Sequence, residues 1–310
     1  MRVLVTGGTG YLGAAIVRQL MARGHQPVVF ARHASAAGLP GVAIDGDIRD
    51  LPAFRSAAEG VDAIIHSAAL VRIWHPHPVE FQEVNVGGLH NALDTTQALG
   101  IQRLVYTSSF LALPPFGAEA PLDANDYQKT KRDARDVALA AARGGAPIVS
   151  LYPGVVYGPG AATEGNLVGR LLRDHLSGRL PGVIGAEHQW SFAYVDDVAR
   201  AHVTAVETPQ ASGEYVLGGE NAPQMRLFEI AQQLAGVKLP RRIPPLIAYG
   251  AAALEEARSR ILRTSPLLTR GAVAIFLHDW RLDSSRSVHE LSYRITPLEQ
   301  GIRTVLADVG

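Results

Sequence analysis

Tyr127 and Lys131 stand about one helical turn apart at the head of Asn125 to Arg143, a stretch whose periodicity predicts a helix, so phenol and ammonium share a face. A free tyrosine, with a pKa near ~10, is a poor acid–base catalyst at neutral pH; a neighbouring cation favours the phenolate and lowers that value. The pair therefore has the makings of a proton-transfer device. Alone, the Tyr-x-x-x-Lys spacing is more often a solvated helix face. Here it follows Val105-Tyr-Thr-Ser-Ser109, a strand-like run ending in hydroxyls. Carboxyl ends of parallel strands open onto a ligand crevice, where Ser109 would hydrogen-bond a substrate oxygen.

A second group of residues could cradle a phosphate. Arg2-Val-Leu-Val-Thr-Gly-Gly-Thr-Gly-Tyr-Leu-Gly13 runs from a strand-like segment into Gly7, Gly8, Gly10 and Gly13, with Thr9, Tyr11 and Leu12 between them. Such a turn brings backbone close to a pyrophosphate, and the helix after it offers unpaired N–H groups and a positive dipole end. The next strand-like run ends Val28-Val-Phe-Ala-Arg-His33, about twenty residues past the glycines, where an NAD-binding fold places an acid on the ribose. No acid stands at Phe30, Ala31 or Arg32. Arg32, assisted by His33, would suit the 2′-phosphate of NADP(H) through its planar fork, the alternative being a solvated arginine at a strand end. Asp47, with Ile48 beside it, is either an acceptor for the adenine amine or an ordinary turn aspartate.

The elements that must position these groups alternate short β-branched runs with longer amphipathic stretches. Strands are predicted at Arg2 to Thr6, Pro27 to Ala31, Val42 to Ile44, Ala63 to His66, Leu104 to Ser108 and Ile148 to Tyr152. Helices are predicted at Tyr11 to Arg23, Leu51 to Ala58, Pro78 to Leu99 and Asn125 to Arg143. Right-handed crossovers make this an α/β fold, a doubly wound parallel Rossmann sheet over residues 1–152. From Pro153 the rhythm breaks into helices and Pro- and Gly-rich turns, predicting a smaller C-terminal substrate lobe over 153–310. Within it, about 190–210 returns to the Rossmann domain, and Glu214 to Leu217 is a strand-like run of the lobe.

Bulk composition narrows the function classes. The 310 residues are 47% hydrophobic and 19% charged, enough to bury a core of that size. Basic and acidic side chains balance at 29 each, without a basic block interleaved with aromatics, so no nucleic acid is expected as a partner. The absence of cysteine excludes disulfides and thiolate chemistry and agrees with a cytoplasmic location. Eleven histidines show no ligand spacing, and no metal site is expected. The chain enters its first strand without a signal-peptide pattern. Its longest apolar region, Ile243 to Leu254, is broken by Pro244, Pro245 and Gly250 and is too short to span a bilayer, so no membrane partner is expected.

Over nearly its whole length the sequence resembles the extended short-chain dehydrogenases/reductases. The segments that carry this are the Thr6 to Gly13 turn, His66-Ser-Ala-Ala69, Asn85-Val-Gly-Gly88, Thr107-Ser-Ser109, Tyr127 with Lys131, Pro153-Gly-Val-Val-Tyr-Gly-Pro159 and Phe192-Ala-Tyr-Val-Asp-Asp197. Within that family it looks most like dihydroflavonol 4-reductase-like proteins and hopanoid-associated sugar epimerase homologues. Arg72-Ile-Trp-His-Pro76, Gly213-Glu-Tyr-Val-Leu-Gly-Gly-Glu-Asn221 and the closing Asp279-Trp280 to Thr296-Pro-Leu298 carry that closer match. The resemblance implies an NADP(H)-dependent reaction in which hydride reaches a carbonyl carbon, Tyr127 protonates its oxygen, and Lys131 relays the replacement proton. It also implies that the Ala68 backbone and Thr107 line the cofactor, that Asn85 braces the site, and that Pro153 to Val156 hold the carboxamide. His66 would be structural. Family members often pair through the helices matching 78–99 and 125–143, so a homodimer is the implied assembly.

The sequence also departs from its relatives. Sugar-nucleotide epimerases of the family carry an arginine two residues before the aromatic matching Phe192, where it binds substrate phosphate; here Trp190 takes that place. The family's second aromatic after the serine is missing, and a short apolar stretch follows Ser109 instead. Phe110 and Leu111, with Trp74, Tyr157 and Trp190, predict a pocket for an aromatic or aliphatic aldehyde or ketone, unless they only pack the lobe interface. The leading expectation is an NADPH-dependent reductase of a small-molecule carbonyl. Its rivals are a sugar-nucleotide epimerase or dehydratase that keeps NAD(P) bound, and an NADP-sensing protein without catalysis, which would need none of Ser109, Tyr127 and Lys131.

Overall fold

The computed structural model describes residues 1–161 and 163–309. The chain opens with β1 (Arg2–Thr6), α1 (Tyr11–Ala22), β2 (Gln26–Ala31), β3 (Val42–Asp45), α2 (Leu51–Ala57), β4 (Ala63–His66), α3 (Val79–Gln82), α4 (Gly88–Ala98), β5 (Leu104–Thr107), α5 (Asp126–Arg143) and β6 (Ile148–Pro153). It continues through β7 (Val155–Tyr157), α6 (Leu167–Leu176), β8 (Val183–Ile184), β9 (Gln189–Tyr194), α7 (Val195–Glu207), β10 (Gly213–Leu217) and β11 (Glu220–Pro223). The last elements are α8 (Arg226–Ala235), β12 (Arg242–Ile243), α9 (Pro245–Leu262), α10 (Arg270–Phe276), α11 (Ser285–Leu291) and α12 (Leu298–Val309).

Seven parallel strands lie in the order β10-β6-β5-β4-β1-β2-β3, the doubly wound arrangement. Successive side chains of a strand point to opposite faces, and here both faces are covered. Val3 and Val5 of β1 pack with Ile16 and Leu20 of α1 and Val198 and Val203 of α7, whereas Leu4, between them, packs with Phe54, Leu89 and Ala134 from α2, α4 and α5. The sheet reverses direction in chain order between β1 and β4, so the crevice above their carboxyl ends is where a ligand fits.

Two differences from the sequence-based expectations concern the site. Glu214 to Leu217 is not a strand of the lobe: β10 pairs in parallel with β6 and forms the edge of the central sheet, and Tyr215 and Leu217 sit in the same core as α7. The predicted single helix over 78–99 is interrupted by a π-helical turn at Glu83–Gly87. That extra residue per turn carries Asn85 out of the α-helical register, as such bulges often do beside a functional site.

The lobe is built on a smaller sheet, β11-β9-β7, in which β9 runs parallel to β7 and antiparallel to β11. Phe192, Leu172, Phe228, Trp280 and Ile302 fill its core. Among the described residues no helix is long and apolar enough to cross a membrane.

Candidate active site

The glycine turn is shaped so that only glycine fits. Gly7 has φ +69°, and a Cβ on it would stand 2.6 Å from Ala68 Cα; a Cβ on Gly13 would stand 2.1 Å from the Gly7 carbonyl oxygen. Gly10 closes the turn by donating its N–H to that oxygen at 2.9 Å. Helix α1 then begins without a side-chain cap and without an acid in its first turn. Its leading N–H groups and positive dipole end are therefore left for an anion. Gly7, Thr9, Gly10, Tyr11, Leu12 and Gly13 all line a cavity of about 1270 Å³ that also reaches Arg32, His33, Asp47, Ile48, Ala68, Thr107, Pro153 and Val156. The backbone cradle and the uncapped helix fit the pyrophosphate of a dinucleotide.

Arg32 and His33 are exposed at the end of β2, on the rim of this cavity. Asp47 is more committed than expected. Arg49 donates to its carboxylate from Nε at 3.1 Å and Nη2 at 2.7 Å, and this pairing holds the carboxyl below its usual range. An adenine amine would have to share that carboxylate with Arg49, a residue the sequence reasoning overlooked.

Ser109 and Tyr127 are brought together by local hydrogen bonding. The Asn125 side chain caps α5 by accepting from the Gln128 N–H at 2.9 Å, and buried Gln128 in turn donates to the Leu111 carbonyl at 3.2 Å. Ser109 Oγ accepts from the Leu111 N–H at 3.2 Å, fixing the short 3-10 turn Phe110–Ala112. Gln128 thus ties the head of the helix to the turn behind the serine. Asn85 adds a brace: it accepts from the Leu70 N–H at 2.7 Å and donates to Thr130 Oγ1 at 3.0 Å, linking the loop after β4 to α5.

Lys131 is buried at 3% exposure, its Nζ 3.1 Å from the Thr107 carbonyl oxygen and 6.0 Å from the Tyr127 ring centre. The net shift of the Tyr127 pKa is upward, against the expected lowering. Burial pushes the Tyr127 phenol up to about 12, and it is the Ser109 hydroxyl that pulls the other way. Burial likewise lowers Lys131 to about 8. Desolvation wins because the ammonium is anchored on a strand-end carbonyl rather than on the phenol oxygen.

Behind Thr107 stands a group that spacing could not reveal. Buried His202 of α7 has Nδ1 2.8 Å from the Val198 carbonyl and Nε2 2.9 Å from Thr107 Oγ1. A carbonyl only accepts, so Nδ1 carries the hydrogen and Nε2 accepts from the threonine hydroxyl. Burial lowers His202 to about 4, which keeps it neutral in that tautomer. His66, similarly lowered to about 3, hydrogen-bonds Thr6 Oγ1 at 2.9 Å and faces the core between Phe54 and Tyr106.

The apolar residues divide. Phe110, Leu111 and Trp190 line the cavity, Trp190 stacked on Phe276 with ring centres 5.0 Å apart. Two others are corrected. Tyr157 is fully buried in the lobe core, edge-on to Phe192 and Tyr194, and Trp74 lies in the loop after β4 outside the cavity lining. The side chain of residue 157 packs instead against the rings of β9, with which β7 is paired. Beyond Trp190 the cavity continues along Leu171, Val183, Phe228, Ile247 and Leu268, a wall drawn from α6, β8, α8, α9 and the turn before α10.

The comparisons with known proteins agree with this geometry. The model of the NAD dependent epimerase/dehydratase family matches residues 3–218. The chain is 33% identical over 308 residues to sterol demethylase protein B of Methylococcus capsulatus, covering 94% of this chain and 93% of that one. It is 35% identical over 294 residues to a 2-alkyl-3-oxoalkanoate reductase of Stenotrophomonas maltophilia, covering 87% of each. Among solved structures, gox2253 superposes with a TM-score of 0.82 at 28% identity, covering 99% of this chain and 97% of that one. The NAD complex of Thermus thermophilus UDP-glucose 4-epimerase, at 24% identity, shares the fold with a TM-score of 0.78 over 100% of this chain and 99% of that one. With its glycine cradle, its Ser109, Tyr127 and Lys131 cluster and its seven-stranded parallel sheet, this chain belongs to the NAD dependent epimerase/dehydratase family of extended short-chain dehydrogenases/reductases.

Proposed function

We propose that the protein is an NADP(H)-dependent reductase that turns a ketone or aldehyde group on a large lipophilic substrate into an alcohol, with Tyr127 as proton donor. The observation that carries this reading is the continuity of the cavity, which runs from the glycine turn past Ser109 and Tyr127 into the apolar wall of Leu171, Trp190 and Phe228. When bound, the nicotinamide supplies the hydride. The chain's own groups do the rest. Ser109 donates a hydrogen bond to the substrate oxygen and orients it. Tyr127, protonated at neutral pH because burial raises its pKa to about 12, gives its proton to that oxygen as negative charge develops there. Below about pH 8 Lys131 remains a cation and stabilises the phenolate left behind.

Three further points support the reading. Trp190, packed on Phe276, offers no cation where a nucleotide-sugar diphosphate would need one. Two relatives at 33% and 35% identity are named for a sterol and for a 2-alkyl-3-oxoalkanoate, compounds with apolar ring or alkyl parts. Arg32 on the cavity rim, with no acid at the neighbouring strand-end positions, favours the 2′-phosphate of NADP(H).

The test is consumption of reduced cofactor by the purified protein with a panel of 3-oxo acids bearing long alkyl chains, 3-oxosterols and small aldehydes. Stoichiometric loss of NADPH with the lipophilic members is the expected result. Turnover of a nucleotide sugar without net loss of cofactor would replace the reductase reading with the epimerase one.

A further inference from the structure

Helix α9 is apolar on both sides, and only one side is covered. Ala248, Ala252 and Ser259 face inward onto the protein. The opposite side carries Leu246, Ile247, Leu254 and Ile261 at 84%, 62%, 71% and 81% exposure, with Gly250 and Ala257 between them at i, i+4 and i+7 spacings. Leu267, in the turn after the helix, is 82% exposed on the same flank of the lobe. A helix that is apolar all round is ordinarily buried, and a contiguous exposed patch of this kind marks a surface that meets another phase or another molecule.

Two observations identify the occupant. Ile247 and Leu267 belong at once to the exposed patch and to the lining of the proposed substrate cavity, so the patch borders that cavity at one edge. Both ends of the helix are basic. From Lys238 to Arg270 the sequence has seven basic and two acidic residues, in a chain whose formal net charge is zero. Glu255 pairs with Arg258 and Glu256 with Arg270, while Lys238, Arg241, Arg260 and Arg263 are exposed and make no ion pair among the described residues. A second copy of the chain is a poor occupant. Antiparallel pairing of two such helices would set Arg241 against Arg260 and Arg263, and parallel pairing would set each basic end against itself. An anionic lipid surface accepts the apolar face and both basic ends together.

We infer that the outer face of α9 docks the protein on an anionic membrane surface, with the adjoining edge of the cavity turned toward the lipid. No helix crosses the bilayer in this arrangement; the contact is peripheral and departs from the sequence-based expectation of no membrane partner. It rests on the cavity's apolar lining in the proposed reductase, but its test needs neither cofactor nor turnover.

The full chain is mixed with vesicles of phosphatidylcholine alone, or of phosphatidylcholine with phosphatidylglycerol, and the bound fraction is read after sedimentation. Binding to the anionic vesicles is expected. Leu254→Gln with Ile261→Gln should weaken it on the order of tenfold or more, and Arg260→Gln with Arg263→Gln should reduce the preference for anionic over neutral vesicles. All four positions are exposed, so each double variant should keep the wild-type circular dichroism spectrum. Wild-type protein that stays in the supernatant with both vesicle types overturns the inference, as does binding that the Leu254 and Ile261 changes leave intact. A dimer that those changes dissociate, without vesicle binding by the wild type, assigns the face to a second copy and also overturns it.

Discussion

The Lys131 ammonium donates to the Thr107 carbonyl oxygen at 3.1 Å, so the cation of the site is fixed to the end of β5 while the phenol it serves stands on α5. Burial lowers Lys131 to about 8, which makes it a cation below that pH and neutral above it. Reduction should therefore slow as pH rises through about 8, since the group that steadies the developing phenolate loses its charge there. Lys131→Arg, whose guanidinium stays charged, should move this descending limb upward whatever it does to the maximal rate. A limb in the arginine variant unchanged from wild type would assign the titration elsewhere.

The same burial makes Lys131 costly to the fold. Its folded pKa lies below its ordinary value of 10.5, so the folded state binds fewer protons than the unfolded one, and stability gains as pH rises from about 8 toward 10.5. Below that window the penalty is at its full size, of order 3 kcal/mol from the conversion of ~1.4 kcal/mol per pKa unit. Lys131→Met should abolish reduction and yet raise the melting temperature at neutral pH by roughly 2–6 °C. A thermal scan showing a lower melting temperature would mean that the bond to Thr107 outweighs the desolvation.

Thr107 holds its backbone oxygen toward Lys131 while its hydroxyl donates to His202. Thr107→Val keeps the shape and the carbonyl but leaves the buried Nε2 of His202 without a donor, at a cost of roughly 1–3 kcal/mol. Denaturant unfolding should show that loss. Stability equal to wild type would show that the imidazole finds another partner or flips.

A Cβ on residue 13 would meet the Gly7 carbonyl oxygen at 2.1 Å, inside the turn that closes over the pyrophosphate. Gly13→Ala should weaken binding of NADPH and NADH alike, on the order of tenfold or more, because it moves the shared cradle. Arg32→Ala should weaken NADPH far more than NADH, since only the former carries the 2′-phosphate. Fluorescence titration with both cofactors separates these outcomes, and equal losses in the arginine variant would remove the basis for an NADP(H) preference.

Local pattern made much of this molecule legible. The strands of the central sheet, the glycine turn and the helix carrying Tyr127 and Lys131 each have a periodicity or a residue type that only one local structure satisfies. What stayed hidden depends on distant segments. Glu214 to Leu217 looks like any short strand, and only its pairing with β6 places it in the central sheet. Tyr157 has the residue type of a pocket wall, whereas its packing on Phe192 and Tyr194 of β9 puts it in the lobe core. His202 and Gln128 act through partners 95 and 17 residues away, with no signature in spacing. The direction of the Tyr127 shift could not be read from an i, i+4 pair either, because desolvation by the surrounding fold sets it.

Tyr127→Phe tests the proposed proton donor directly. The variant keeps the ring and removes only the hydroxyl, so NADPH affinity should stay near wild type while the reduction rate falls by roughly 10²–10⁴-fold, the usual contribution of a positioned general acid. Single-turnover reduction of a lipophilic ketone by the variant at the wild-type rate would contradict the assignment.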